Sequence, residues 1–281
     1  MEVFLGDRTF HFISGLPRSG STLLAAILRQ NPRIHAGMSS GLGALVSGVM
    51  QQMSPGTELS DIVSESQRRN ILKRLFSSYY DGETDCQIIL DTNRIWTTRM
   101  PLLSELYPNS KVIACVRNLS WVIDSLERQV RNNPFHFSRI FSPKAQGTVY
   151  SRAEYLIAHD ALVGKAFHGL KEAFYGEQSA SLLIVEYELL ARAPEKVIPL
   201  VYEFIGEPGF EHDFDNVEYD APEFDQSLGL NGLHRVRPKV EFQARRTILP
   251  PDLFNRFENM EFWRDLAATN ANVIAQKPAR D

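Results

Sequence analysis

The run Gly15-Leu16-Pro17-Arg18-Ser19-Gly20-Ser21-Thr22 has the residue types and spacing to hold an anion. Gly15-x4-Gly20-x-Thr22 fits the phosphate-binding pattern G-x-x-x-x-G-K-[ST], except that Ser21 stands where a triphosphate-gripping lysine belongs. Phe10 to Ile13, just ahead, reads as a strand, and Ser21 to Gln30 as a helix. A strand, a glycine-rich loop and a helix in that order aim backbone N–H groups and the positive end of a helix dipole at one point. The expected chemistry is the cradling of a phosphate-like group, with Arg18 supplying a cation from inside the loop. The β- and γ-phosphates of ATP would lack their main cationic partner.

A second anion site is expected at Arg117. Lys111 to Val116 is an apolar, β-branched run suited to a buried parallel strand, and Arg117 ends it. Ser125 follows eight residues later, inside a helical pattern carried by Val122, Ile123, Leu126 and Val130. A guanidinium fork beside a hydroxyl suits a dianionic phosphate monoester. Ser181 to Val185 reads as a further strand, ending in Glu186-Tyr187-Glu188. Tyr187 is either a core aromatic or a ring facing a ligand. Arg235, Arg237 and Lys239 form a basic cluster that either sits in solvent or closes over a phosphate.

These motifs together resemble the sulfotransferases that use PAPS (3′-phosphoadenosine 5′-phosphosulfate). Pro17-Arg18-Ser19-Gly20-Ser21-Thr22-Leu23-Leu24 is most similar to the tyrosylprotein sulfotransferases and a broad bacterial group. The resemblance implies that Pro17, Arg18, Ser19, Gly20, Ser21 and Thr22 bind the 5′-phosphosulfate. It implies that Arg117 and Ser125 bind the 3′-phosphate, that Tyr187 lies near the adenine, and that Arg235, Arg237 or Lys239 closes over the 3′-phosphate. The donor is then PAPS, the product PAP, and no metal is required. Charge on the bridging oxygen would be stabilised by Arg18 and the loop N–H groups, with the hydroxyls of Ser19, Ser21 and Thr22 as further donors.

The general base departs from the family's patterns. Met38 and Ser39 stand where tyrosylprotein sulfotransferases have glutamates, and Asn93 stands where cytosolic sulfotransferases have a histidine. The candidates are Asp91, at a strand end facing the donor loop, and His35, on the loop after the first helix. Arg94 is expected to assist charge stabilisation. The acceptor expected from the loop's similarity is a tyrosine of a protein or peptide, in an acidic context. A small-molecule alcohol, phenol or amine is the alternative. A P-loop kinase or NTPase and a catalytically silent PAP binder remain as other classes, and Ser21 argues against the kinase.

Positioning such a site requires strands that alternate with helices. The reading is strand 10–14, helix 21–30, helical segments from about 40 to 80, strand 86–90, helix 97–107, strand 111–116, helix 119–132, a loop to about 150, helix 152–175, strand 181–185, helix 194–205, and one or two late helices. That order predicts an α/β, three-layer P-loop-type fold with a central parallel sheet flanked by helices, forming one domain over 1–281. Ligands collect at the carboxyl ends of such strands, where Arg18, Asp91, Arg117 and Tyr187 are expected to converge.

Composition agrees. An apolar content of 43% can fill a sizeable core, and no apolar run is long enough to span a membrane. No secretory signal is evident, and Cys86 and Cys115, expected in strands as reduced thiols, suggest a cytoplasmic setting. The formal net charge of −4 argues against a general nucleic-acid binder. The acidic stretch 211–225 reads as a solvated loop. The basic, phenylalanine-containing stretch 128–152 is a candidate acceptor-site wall. A homodimer is compatible with this reading.

Overall fold

The computed structural model describes residues 8–135 and 137–276. Six strands form one sheet: β1 (Thr9–Gly15), β2 (Ile34–Ala36), β3 (Ile88–Thr92), β4 (Val112–Val116), β5 (Leu182–Glu186) and β6 (Asn272–Ile274). The order is β2-β3-β1-β4-β5-β6, and every pairing is parallel. Each of β3, β4 and β5 is buried along its whole length. That explains why they read as continuous apolar runs rather than alternating ones.

The helices are α1 (Ser21–Leu28), α2 (Leu42–Gln52), α3 (Leu59–Ile62), α4 (Glu65–Tyr80), α5 (Met100–Leu106), α6 (Leu119–Asn132), α7 (Val149–Ile157), α8 (Leu162–Tyr175), α9 (Tyr187–Arg192), α10 (Pro194–Ile205), α11 (Pro222–Ser227) and α12 (Pro251–Glu258). They cover both faces of the sheet. On one face α1, α9 and α10 pack on Ile13, Leu90, Ile113 and Val185. On the other, α2, α4, α6, α8 and α12 pack on Phe12, Ile89, Ala114 and Ile184. The architecture is the α/β, parallel-sheet arrangement expected.

The expected elements are corrected at four places. The second long strand is Ile88–Thr92 rather than 86–90, which leaves Cys86 half-buried ahead of it, its thiol directed at the Pro32 carbonyl at 3.3 Å. The helix expected over 97–107 begins as a 3-10 turn at Arg94–Arg99 and continues as α5. The helix expected over 152–175 is two helices, α7 and α8. The turn between them folds back on α8 so closely that a Cβ on Gly164 would lie 2.2 Å from the Ala158 carbonyl oxygen. Finally, the acidic stretch is not all solvated, because Asp225 is fully buried.

Candidate functional site

The loop after β1 takes its shape from close packing on β4. Gly15 has φ 110° and presses on β4, where a Cβ would fall 2.1 Å from the Cys115 carbonyl oxygen. Only glycine allows both that conformation and that approach. Ser19 is fully buried, and its hydroxyl faces the carbonyls of Leu16 and, at 2.7 Å, Cys115. The Ser19 side chain therefore ties the loop to β4 and is not the phosphate donor expected from the sequence. Ser19→Ala should lower stability by about 1–3 kcal/mol, because the Leu16 carbonyl is left without its donor while the Cys115 carbonyl keeps only the Leu16 N–H. A urea-denaturation midpoint unchanged from wild type would rule out this tie.

The loop ends at Gly20, the N-cap of α1, with φ 94°. The Ser21 and Thr22 hydroxyls are half-buried and make no hydrogen bond to the described protein. Together with the first-turn N–H groups of α1 they form a set of outward-facing donors with no cation of their own. A Cβ on Gly20 would lie 2.8 Å from the Tyr187 ring, so the first residue of α9 closes the side of this cradle.

Arg18 holds φ 60°, the only non-glycine positive φ among the described residues. Such a backbone costs of the order of 1 kcal/mol and collects at functional sites. It sends the side chain across to α6. There Arg18 Nε donates to Ser125 Oγ at 3.2 Å, and Nη1 donates to the Leu233 carbonyl. Burial, and then the neighbouring Arg117 guanidinium, lower its pKa to about 10, with Asp225 opposing that drop. The guanidinium stays charged at neutral pH in a setting that favours an added anion.

Arg117, only 8% exposed, follows β4. Its Nε donates to Glu188 Oε1 at 2.8 Å, and its guanidinium carbon sits 4.4 Å from the Tyr187 ring centroid. Nε is satisfied and one face is stacked, so the terminal nitrogens of the fork are left for a ligand. Arg117 is thus an ion-pair partner and a member of the cluster at once.

Four contributors are not evident in the sequence. Arg245 stands where the basic segment was expected, 5.6 Å from the Trp121 ring, whose centroid is 5.9 Å from Arg117. Asp124 is fully buried beside Ser125, forms an ion pair with Arg245 at 2.8 Å, and accepts from Arg128 at 2.9 Å, Thr247 at 3.0 Å and the Ile248 N–H at 2.7 Å. Asp225 accepts from the His234 backbone N–H at 2.9 Å and also faces its imidazole, fixing the turn whose Leu233 carbonyl meets Arg18. Glu188 orients Arg117. The usable signals were the Arg245-Arg246 pair and an aspartate directly preceding Ser125.

Other expected residues fall elsewhere. Arg235, Arg237 and Lys239 are exposed. Arg237 turns to Gln243, and Lys239 pairs with Asp215 at 2.9 Å. His35 lies on β2 opposite Ile89, in the amino half of β3, with its ring against Tyr80 and near Arg8 and Glu83. Burial and Arg29 lower its pKa, but its position is far down the sheet from the loop, and it is not the base. Asp91 points to the sheet face opposite α1. Its carboxylate accepts from Trp96 Nε1 at 2.6 Å and from the Tyr80 hydroxyl, so it does not stand open to the cleft. Asn93 bonds to the Ser40 carbonyl and caps the Arg94–Arg99 turn. Arg94 lies at the same edge, its backbone carbonyl accepting from Ser14 and its side chain without an ion-pair partner among the described residues. No cluster of metal-ligating side chains occurs among the described residues, and no described helix is long and apolar enough to cross a membrane.

The site therefore presents two anion positions joined by one long side chain. One is the N-terminus of α1. The other is the Arg18, Arg117, Arg245 and Ser125 group. That donor set fits a nucleotide carrying phosphates on both the 5′ and 3′ positions, and offers no lysine for a triphosphate.

Known structures share the architecture. A sulfotransferase domain from the curacin biosynthetic pathway aligns with a TM-score of 0.50 at 16% identity, covering 90% of this chain and 91% of that one. A sulfotransferase from Alicyclobacillus acidocaldarius aligns with a TM-score of 0.50 at 16% identity, covering 80% and 90%. The sulfotransferase domain of the Synechococcus PCC 7002 olefin synthase aligns with a TM-score of 0.48 at 18% identity, covering 92% and 90%. No curated protein matches the sequence. The profile of the sulfotransferase family matches residues 11–212, a span that holds the β1 loop, Arg117, Ser125 and Tyr187, and the chain belongs to that family.

Proposed function

We propose that this protein transfers the sulfuryl group of PAPS to an aromatic hydroxyl, foremost a tyrosine of a protein or peptide in an acidic context. The observation that carries the donor assignment is the meeting of Arg18, from the β1 loop, with Ser125 and Arg117, from the β4 edge. Two guanidinium groups and a hydroxyl gathered there support a 3′-phosphate as their ligand, and the absence of a lysine at Ser21 argues against a triphosphate. Transfer of this kind relies on positioning and charge stabilisation more than on covalent chemistry by the protein.

Support for a peptide acceptor comes from the rim. Phe135 and Phe137 are 93% and 83% exposed. The next residues lie against the segment that meets Arg18, with the Arg139 N–H on the Leu228 carbonyl at 3.4 Å. Arg139 is exposed on the first of these segments and would favour acidic flanking residues. Two unpaired cysteines support a reducing, cytoplasmic setting.

Titration calorimetry with PAP, and separately with ATP and magnesium, tests the donor. Micromolar PAP binding with negligible ATP binding is expected, and the reverse would place the protein among kinases or NTPases. An acceptor screen then starts with tyrosine peptides flanked by acidic residues. Binding of PAP without transfer to any acceptor would support a silent binder.

A further inference from the structure

The three guanidinium groups of the site repel one another, so their spacing has to be enforced before a ligand arrives. Burial, and beyond it the Arg117 charge, lower the pKa of both Arg18 and Arg245, with Asp124 opposing the fall at Arg245. Trp121, half-buried in the first turn of α6, lies within reach of two of the three. The Arg117 guanidinium carbon is 5.9 Å from its ring centroid, and that of Arg245 is 5.6 Å away. Both fall inside the roughly 6 Å over which an aromatic face attracts a cation, and tryptophan offers the strongest such face. Trp121, Asp124 and Ser125 stand at positions i, i+3 and i+4 of α6, so they share one face of the helix. That face supplies an aromatic ring and a carboxylate to Arg245, and a hydroxyl to Arg18 Nε. α12 fixes the ring in place. Trp121 meets Phe254 edge-on, with centroids 5.2 Å apart at 79°, and the Ser120 hydroxyl donates to the Phe254 carbonyl at 2.6 Å. One turn further along α12, Asn118 Nδ2 donates to the Glu258 carbonyl at 2.7 Å.

We propose that Trp121 sets the spacing of Arg117 and Arg245, and through them makes the site selective for a nucleoside 3′,5′-bisphosphate over a nucleoside 5′-phosphate. The proposal rests on the donor reading above. Glu188 and Tyr187 hold Arg117, and Asp124 holds Arg245, while the Trp121 ring is common to both. A π face gathers two like charges without placing an anion in the site. A carboxylate at this position would gather the same cations, but it would occupy their N–H groups and repel an incoming phosphate. An aliphatic side chain would leave the two charges free to part. The cradle at the N-terminus of α1 draws on backbone N–H groups, Ser21 and Thr22 rather than on these two arginines, so the ring bears on the 3′ position alone. Trp121 is a positioning residue, acting through Arg117 and Arg245.

Calorimetry with PAP and with adenosine 5′-phosphate, on wild type and two variants, tests this. Wild type should bind PAP far more tightly than adenosine 5′-phosphate. Trp121→Leu keeps apolar bulk and loses the π face. It should lower PAP affinity about tenfold and leave that for adenosine 5′-phosphate within about twofold of wild type. Trp121→Phe keeps a weaker face and should hold PAP affinity within about threefold. Tryptophan fluorescence gives a second readout. Trp96 and Trp263 are fully buried, so PAP should change wild-type emission through Trp121 and leave that of Trp121→Phe unchanged. Equal losses on both nucleotides in Trp121→Leu, or an unchanged PAP affinity, would overturn the proposal, while selective PAP binding by wild type keeps the donor reading standing. Wild type that binds both nucleotides equally would overturn the donor reading and the proposal with it. Should Trp121→Leu fail to fold, the fluorescence titration decides. No change in wild-type emission at saturating PAP, or a change that persists in Trp121→Phe, overturns the proposal.

Discussion

Arg117→Ala is expected to lower PAP affinity by about 10³-fold, corresponding to roughly 4 kcal/mol. Three losses combine in that figure. The charge-assisted bonds from the fork to a phosphate disappear, the stacking partner of Tyr187 is removed, and Glu188 is left in the site as an uncompensated carboxylate. Glu188 then repels the incoming phosphate that Arg117 formerly attracted. The double variant Arg117→Ala with Glu188→Gln should recover part of the affinity, which separates the repulsion from the lost bonds. Calorimetry on the two variants and wild type gives the comparison. An affinity within threefold of wild type in the single variant would remove the 3′-phosphate assignment.

Asp124→Ala should destabilise the fold by about 3 kcal/mol and weaken PAP binding as well. Asp124 is fully buried, accepts from three donors on α6 and residues 247–248, and pairs with the Arg245 guanidinium. Its arginine partners are partly exposed and can turn to solvent, so most of the loss falls on the Ile248 N–H and the Thr247 hydroxyl. Arg245 loses its position beside Trp121 at the same time. Asp124→Asn keeps an oxygen for the N–H and should recover about half of the stability while leaving the binding defect. Denaturation midpoints and PAP titrations of both variants check this. A midpoint for Asp124→Ala equal to that of wild type would mean that the segment is anchored some other way.

The parts of the site that are local in the chain were legible in its residues. The β1 loop, Arg117 and Ser125 each lie next to a long apolar strand, and strand, turn and helix follow one another within a few residues. What was not legible depends on contacts between distant segments. Asp124 and Asp225 look like solvated acids until the chain from 228 to 249 is laid over them. Arg245 lies past the basic cluster that drew attention, and irregular chain carries no period from which to place it. β2 and β6, of three residues each, are too short to form a pattern. The side on which Asp91 points followed from alternation, since Leu90 faces α1 and its neighbour must face away, but a strand buried on both faces hides that parity.

The strand order has a consequence for how the chain is made. β1 carries the donor loop and sits at the centre of the sheet, yet its two neighbours, β3 and β4, begin at Ile88 and Val112. As the polypeptide leaves the ribosome, the apolar segment Phe10 to Ile13 must wait through about 75 further residues before β3 can pair with one edge, and about a hundred before β4 can pair with the other. Synthesis of this protein thus passes through a period when its most important strand is also its stickiest. Expression at low temperature, or with added chaperones, should raise the yield of folded protein more than any change of buffer.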